Sequence, residues 1–336
     1  MISCTPVTGL GEIGPGEDLV TLVAGSHELR DGDVLVVTSK VVSKAEARVV
    51  TEEKSVALAA ETDRVVARRG PTTIVRTRHG LVMAAAGIDA SNTTPGTLVL
   101  LPLDPDGSAR LLRESLGRHG GPNVAVVVSD TSGRAWRTGQ TDIAVGAAGL
   151  EVLDDHAGLG DGYGNTLSVT APAVADEITA MADLATGKLS RSPAAVVRGL
   201  DHLVLPRGEH GPGARVLVRP EEHDMFGYGA REAVLHALTR TGVRGFGAPA
   251  TAAEVAACLT ALTPGASVAV SPTSGPTDRD APDETTVTLT LPRTATDPGV
   301  SLERALVAAY SLGWCQEQPD GGGTHDARVR FVRATP

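Results

Sequence analysis

The chain has 336 residues, with 40 acidic against 30 basic side chains and a formal charge of −10. That charge disfavours non-specific binding to nucleic acid or to an anionic membrane, since both are repelled at long range. Hydrophobic residues make up 41% and aromatics only 2%, so Val, Ala and Leu must fill the core of a globular chain, either one large domain or two ordinary ones.

Taken in chain order, 34–38, 97–101, 124–128 and 194–198 are short, continuous aliphatic runs, as expected of strands buried on both faces. Between them, 109–116 and 174–185 read as helices, the second ending at Gly187 as C-cap. A Pro/Gly-rich charged stretch over 206–224 reads as a boundary, dividing the chain into 1–224 and 225–336. Beyond it, helices are expected at 230–240, 251–262 and 302–312, strands at 267–270, 285–291 and 327–332, and a long exposed loop at 271–284. The expected fold class is mixed α/β, an α+β arrangement with a small α/β C-terminal extension; the lack of a fixed-period repeat argues against a solenoid.

Cys4, Cys258 and Cys315 are odd in number and far apart, so neither a disulfide framework nor a Cys-x-x-Cys motif is present, which fits a reducing cytosol. The chain shows no signal core at its start and no apolar stretch of spanning length, so a cytoplasmic location is expected.

Two acidic segments carry the chemistry: the one ending Gly87-Ile88-Asp89-Ala90-Ser91-Asn92, and Ser129-Asp130-Thr131-Ser132-Gly133-Arg134-Ala135-Trp136-Arg137 after the 124–128 run. Each sets a carboxylate directly after apolar residues, where a buried strand or turn holds it rigidly. Carboxylate and hydroxyl oxygens suit Mg²⁺ or Mn²⁺, and such ions bridge nucleotide phosphates. Seen alone, Asp89-x-x-Asn92 is equally the signature of an Asx-turn. The usual phosphate devices GxxxxGK[ST] and GxGxxG are missing, so a bound nucleotide would be held by a less common arrangement. Lys44 offers a point charge for phosphate and Ser39 a donor at a strand end, against the plainer reading that both solubilise a strand terminus.

Arg134 and Arg137 suit bidentate grip of a phosphate or carboxylate, or else pair with Asp142, and Trp136 between them is read as packing. Arg64, Arg68, Arg69, Arg76 and Arg78 form either a positive patch for anionic substrates or a solvated face. Asp176 and Glu177 are expected to favour their own helix start through the macrodipole. His79 and His156 are read as surface or structural residues.

Together with 31–46 and 173–177, these segments resemble the coenzyme F420-0:L-glutamate ligase family, over about Gly9 to Arg219. The resemblance implies a GTP-dependent, GDP-forming amide ligase that joins L-glutamate to the lactyl carboxylate of coenzyme F420-0 through an acyl phosphate, with γ-linked extension. It implies GTP contacts at Leu10, Gly11, Glu12, Ile13, Ser39, Lys44 and Asn92 and near Thr186, Gly187 and Lys188. It places one divalent ion on Asp89 and Asp130 and a second on Thr131, with K⁺ as a further cation, and makes Asp89, Asp130 and Lys44 the catalytic set. Lys188 departs from relatives that carry an acid or amide there, because a protonated lysine coordinates no cation. An intertwined homodimer with its site near the subunit interface is also implied.

Residues 224–233 resemble the junction leading into an FMN-binding nitroreductase-like domain in two-domain relatives. Only about 100 residues follow, roughly half of such a domain, so bound FMN is not expected. Two other readings stay open: a non-catalytic nucleotide- or metal-binding paralogue with a partner-binding tail, and a flavin-dependent reductase.

Overall fold

Val34, Leu35, Val36 and Val37 leave no polar side chain for water on either side, and in the folded chain all four are buried. The computed structural model describes residues 1–91, 93–188, 190–272, 285–292, 297–317 and 328–334. It divides into two compact units, Met1–Val218 and Arg219–Pro336.

The first unit runs β1 (Ser3–Val7), α1 (Leu19–Ser26), β2 (Val34–Thr38), α2 (Ser39–Ala45), β3 (Val49–Val50), α3 (Lys54–Glu61), β4 (Thr62–Arg69), β5 (Thr72–Thr77), β6 (Val82–Ala84), β7 (Leu98–Val99), α4 (Pro105–Leu116), β8 (Ala125–Gly133), β9 (Gln140–Ala148), α5 (Val174–Thr186) and β10 (Ala194–Arg198). Five of these strands form a mixed sheet in the order β1-β10-β2-β8-β9, in which only β2 and β8 pair in parallel. Alternation along the strands feeds two cores. Leu35, Val37, Val126 and Val128 pack with α1, α2 and α4 on one face, while Val34, Val36, Ala125 and Val127 pack with α5 on the other. Smaller sheets, β3-β7 and β4-β5-β6, share a separate cluster built on Ala57, Val75, Ile88 and Leu98.

The sequence expectations miss several elements. α4 begins at Pro105 rather than at 109, because Asp104 caps it through the Gly107 N–H at 3.1 Å and proline suits the first turn. The expected strand 97–101 is reduced to Leu98–Val99. No aliphatic run announces β9, whose polar outer half carries Gln140, Thr141 and Asp142. Gly146 lets α4 lie directly on β9, since a Cβ there would stand 2.3 Å from the Pro105 backbone.

Residues 206–218, read from composition as part of a boundary, are tied to the first unit by polar bonds. Asp106 accepts from Ala147 N and Ala214 N at 2.8 and 2.7 Å. Arg113, 5% exposed, donates to Val124 O, Asn123 Oδ1, Leu205 O and Pro206 O at 2.9–3.1 Å, and also to Glu209 O.

The second unit contains α6 (Ala230–Thr239), α7 (Ala252–Leu262), β11 (Ser267–Pro272), β12 (Thr285–Thr290), α8 (Pro298–Ser311), β13 (Trp314–Gln316) and β14 (Arg328–Arg333). Its antiparallel sheet, β11-β12-β14-β13, surrounds Trp314 and Phe331, both fully buried. Ser271 and Pro272 belong to β11 rather than to the expected loop, whose remaining residues 273–284 lie outside the described residues. Residue 327, expected to open the last strand, lies outside them too. Among the described residues no helix is long and apolar enough to cross a membrane.

Replacing Arg113 by methionine would strand several buried carbonyls at once, a cost on the order of 3 kcal/mol or more. Thermal unfolding of Arg113→Met is expected at least about 6 °C below wild type; an unchanged transition would contradict the bracing role.

Candidate functional site

The parallel register of β2 with β8 sets Thr38 beside Ser129, so Ser39, the residue after the carboxyl end of β2, comes level with Asp130, where β8 runs on past β2 to Gly133. In sheets with parallel strands that edge is where ligand sites form. β2 turns directly into α2 there, and Ser39 is the first residue of that helix rather than the last donor of a strand. Its hydroxyl donates to Asp130 Oδ1 at 2.9 Å.

The next residue, Lys40, reaches the other acidic segment. Its Nζ lies 2.6 Å from Asp89 Oδ2 and donates to Ser91 O at 2.9 Å and Ser91 Oγ at 3.2 Å. Asp89 also accepts from Ser91 N and Ser91 Oγ, the Asx-turn geometry that the spacing allowed. One turn further along α2, Lys44 Nζ lies 2.5 Å from Glu12 Oε1, drawing in the 10–13 segment. Leu10 and Ile13 are core residues, which leaves Gly11, Glu12 and the backbone of that turn to face a ligand. α2 thus gathers three separate segments of the chain. Asn92 lies outside the described residues.

The charges are unevenly balanced. Burial pushes the Asp130 carboxyl up to about 7; the Ser39 hydroxyl opposes this, while repulsion from Asp142 and Asp89 adds to it. For Asp89, partial burial is the largest influence and acts upward, yet the Lys40 and Ser91 bonds together hold it below the usual carboxylate range. Asp142 is raised by burial and by Asp183, against the Thr131 and Ser129 hydroxyls and the Lys188 charge.

Thr131 and Asp130 are successive strand residues and turn to opposite sides. The Thr131 hydroxyl donates to Asp142 Oδ1 at 2.8 Å and the Ser129 hydroxyl to Oδ2 at 3.0 Å, so Thr131 belongs with Asp142, Asp183 and Lys188. Thr186 bonds back to Ala182 O, Gly187 closes α5 with φ +65°, and Lys188 is exposed beyond it.

Oxygen donors short of positive charge fit a hard cation. Among the described residues no three His, Cys, Asp or Glu side chains converge on one point, so the donors do not form a closed protein cage. Two carboxylates with open coordination suit an ion that keeps water and substrate oxygens in its shell, as Mg²⁺ does.

Other expectations are met in part. Trp136 is not buried in a core: it is 86% exposed at the β8–β9 turn, with φ +64°. Arg134 donates to Thr138 O at 3.0 Å, and the hydroxyls of Ser129 and Thr131 occupy the Asp142 oxygens offered to the arginines. Asp176 and Glu177 lie in the first turn of α5, as the macrodipole reading expects, and Asp176 also accepts from Ala144 N at 2.9 Å, which ties α5 to β9. Arg64 and Arg76 face each other across β4 and β5, and Arg76 meets Asp63 at 3.2 Å. His79 Nε2 lies against the carbonyls of Pro102 and Leu103, a structural placement, and His156 pairs with Asp154. Sequence reading missed Lys40. The available signal was its spacing of four from Lys44, which puts both ammonium groups on one helical face.

Residues 9–60 and 53–199 match the F420-0:gamma-glutamyl ligase family. A protein of Methanopyrus kandleri named coenzyme F420:L-glutamate ligase is 37% identical over 242 residues, 66% of this chain and 96% of its own length. Its namesake from Methanothermobacter thermautotrophicus is 35% identical, over 67% of this chain and 98% of its own. The one from Archaeoglobus fulgidus is 41% identical, over 58% and 87%.

A carboxyl whose folded pKa lies above its unfolded value favours folding while protonated, and loses that contribution as pH rises from about 4 through about 7. In buffer free of divalent ions, Asp130→Asn should therefore gain melting temperature relative to wild type on going from pH 5 to pH 8.5. An equal difference at both values would contradict the strained carboxylate.

Proposed function

The chain belongs to the F420-0:gamma-glutamyl ligase family and is a ligase; we propose that it condenses L-glutamate with coenzyme F420-0 at the expense of GTP. What supports this most is the meeting of Asp89 and Asp130, from segments far apart in sequence, on two adjacent residues at the start of α2. The relatives' names give the substrate pair, coenzyme F420 and L-glutamate.

In the proposed reaction a carboxylate oxygen of F420-0 accepts the γ-phosphoryl group of GTP and GDP leaves. The glutamate amine then attacks the acyl carbon, the amide bond forms, and phosphate departs as the amine loses a proton. Phosphorylation is needed because a free carboxylate repels nucleophiles and has no good leaving group. Repetition on a γ-carboxylate extends the chain.

Asp89 and Asp130 would hold a divalent ion, Mg²⁺ or Mn²⁺, which supplies positive charge to phosphoryl oxygens when bound. Thr131 would serve a second ion, with K⁺ as a further cation. Ser39 fixes one Asp130 oxygen and so orients the other. Lys44, beside Glu12, presents its charge to the phosphates, next to a turn whose apolar side chains are buried and whose backbone is left for contact. Thr186, Gly187 and Lys188 extend the nucleotide surface from the end of α5. The catalytic work of the protein is then positioning and electrostatic stabilisation. A cytoplasmic homodimer is part of the same proposal.

The test is product analysis. Incubated with GTP, Mg²⁺ or Mn²⁺, L-glutamate and F420-0, the protein should yield glutamylated product by mass spectrometry together with GDP. Asp89→Asn and Asp130→Asn should each lower turnover on the order of 10²-fold or more while remaining folded; near-normal turnover in both at limiting metal would reject the assignment. Lys44→Ala should chiefly weaken GTP use, visible as a raised KM for GTP.

The site lies wholly in Met1–Val218. A chain ending at Val218 should therefore keep glutamate ligation, and the full chain should purify without stoichiometric FMN absorbance. A folded but inactive truncation would assign the second unit a part in catalysis.

A further inference from the structure

The side chain closest to Asp89 is a cation that the ligation chemistry leaves unused. Lys40 contributes three short contacts to one small loop, to Asp89 Oδ2, Ser91 O and Ser91 Oγ, and its side chain is only 20% exposed. It stands at the first turn of α2, one residue from the serine that holds Asp130, so its backbone is fixed by the same helix start. An ammonium is a point charge with three donors, and here it meets three acceptors, one of them an anionic oxygen that a metal ion would also require.

We propose that Lys40 is a built-in counter-cation of the Asp89 carboxylate: it holds the loop in shape when no metal is bound and must give up Asp89 Oδ2 for a divalent ion to bind. The inference rests on reading Asp89 and Asp130 as a cation site. The physical reason lies in local charge. Asp89 is partly buried, so a positive group held against its Oδ2 lowers the cost of keeping the carboxylate ionised there, and Ser91 is bound by the same cation. Lys40 supplies that group from within the chain. It also sets a threshold, since an incoming ion must displace or repel a tethered positive charge and therefore binds less tightly than the same oxygens would otherwise allow. Lys40 is thus a positioning residue that tunes metal affinity, and its substitution acts opposite to loss of a ligand.

The experiment measures Mn²⁺ binding to the full-length protein by electron paramagnetic resonance, in wild type, Lys40→Met, Lys40→Arg and Asp89→Asn. Lys40→Met keeps the apolar stem and removes the charge. Its Kd for Mn²⁺ should fall at least tenfold, and Mn²⁺ should raise its melting temperature more than that of wild type. Lys40→Arg retains the charge and should stay within about threefold of wild type. Lys40→Gln, which keeps a donor for the Ser91 oxygens, carries the same expectation as the methionine variant and serves if that variant folds poorly. Asp89→Asn should bind Mn²⁺ far more weakly than wild type.

Unchanged or weaker Mn²⁺ binding in Lys40→Met and Lys40→Gln, with Asp89→Asn impaired, would overturn the role of Lys40 and leave the cation site standing. Equal tightening in Lys40→Arg would overturn it as well, because shape rather than charge would then be responsible. Mn²⁺ binding that is indifferent to Asp89→Asn would overturn both the site and the inference.

Discussion

The parallel pairing of β2 with β8 is the constraint from which the site follows. Antiparallel pairing would send the two strands out at opposite edges of the sheet. The parallel register instead sets Thr38, the last residue of β2, beside Ser129, so a helix beginning at Ser39 opens against Asp130 of the longer strand β8. The strands can pair this way because Val34–Val37 and Ala125–Val128, the stretches that pair ahead of Thr38 and Ser129, are aliphatic and both faces of the sheet are covered by helices. Everything polar at this edge is then held by a backbone that the cores keep rigid.

α2 is short, only seven residues, yet it is the structural centre of the site. Ser39, Lys40 and Lys44 each bind a different acidic side chain, Asp130, Asp89 and Glu12. A helix places successive residues about 100° apart, so neighbours such as Ser39 and Lys40 reach different segments, while Lys40 and Lys44 share a face. The acids crowd toward the sheet edge and the two lysines offset them from one side. A group such as Asp130, carried up to about 7 by burial and by its neighbours, marks where the fold holds charge against its own stability. Such placements are expected where a ligand later supplies the missing charge.

The second side of β8 is organised differently. Asp142 has both oxygens bonded by the hydroxyls of Ser129 and Thr131, and its surroundings contain Asp183 and Lys188. One strand therefore carries two electrostatic environments: Asp130 meets Ser39 at the start of α2, and Thr131 faces an acid already satisfied by hydroxyls. The alternation of a strand produces this division without a change of backbone.

From the sequence alone, Asp89 and Asp130 stood out as acids after apolar residues, but not their shared approach to the start of α2; the chain's mixed α/β class, its strands at 34–38, 124–128 and 194–198, and its α5 with Gly187 at the end were legible, because aliphatic runs and helix caps are local signals. The start of α2 was not, since Ser39 to Ala45 follows a strand with no intervening turn residue and no side-chain cap at Thr38. Nor was β9, in which Ile143 and Val145 are the larger aliphatic residues among polar and small ones. Lys40 on Asp89, Asp142 between two hydroxyls and Trp136 in solvent depend on which segments the sheet order brings together. Sequence determined which residues carry charge and which runs must be buried. Only the tertiary structure decided which charge meets which, because the β2–β8 register joins positions 91 residues apart that no local pattern connects.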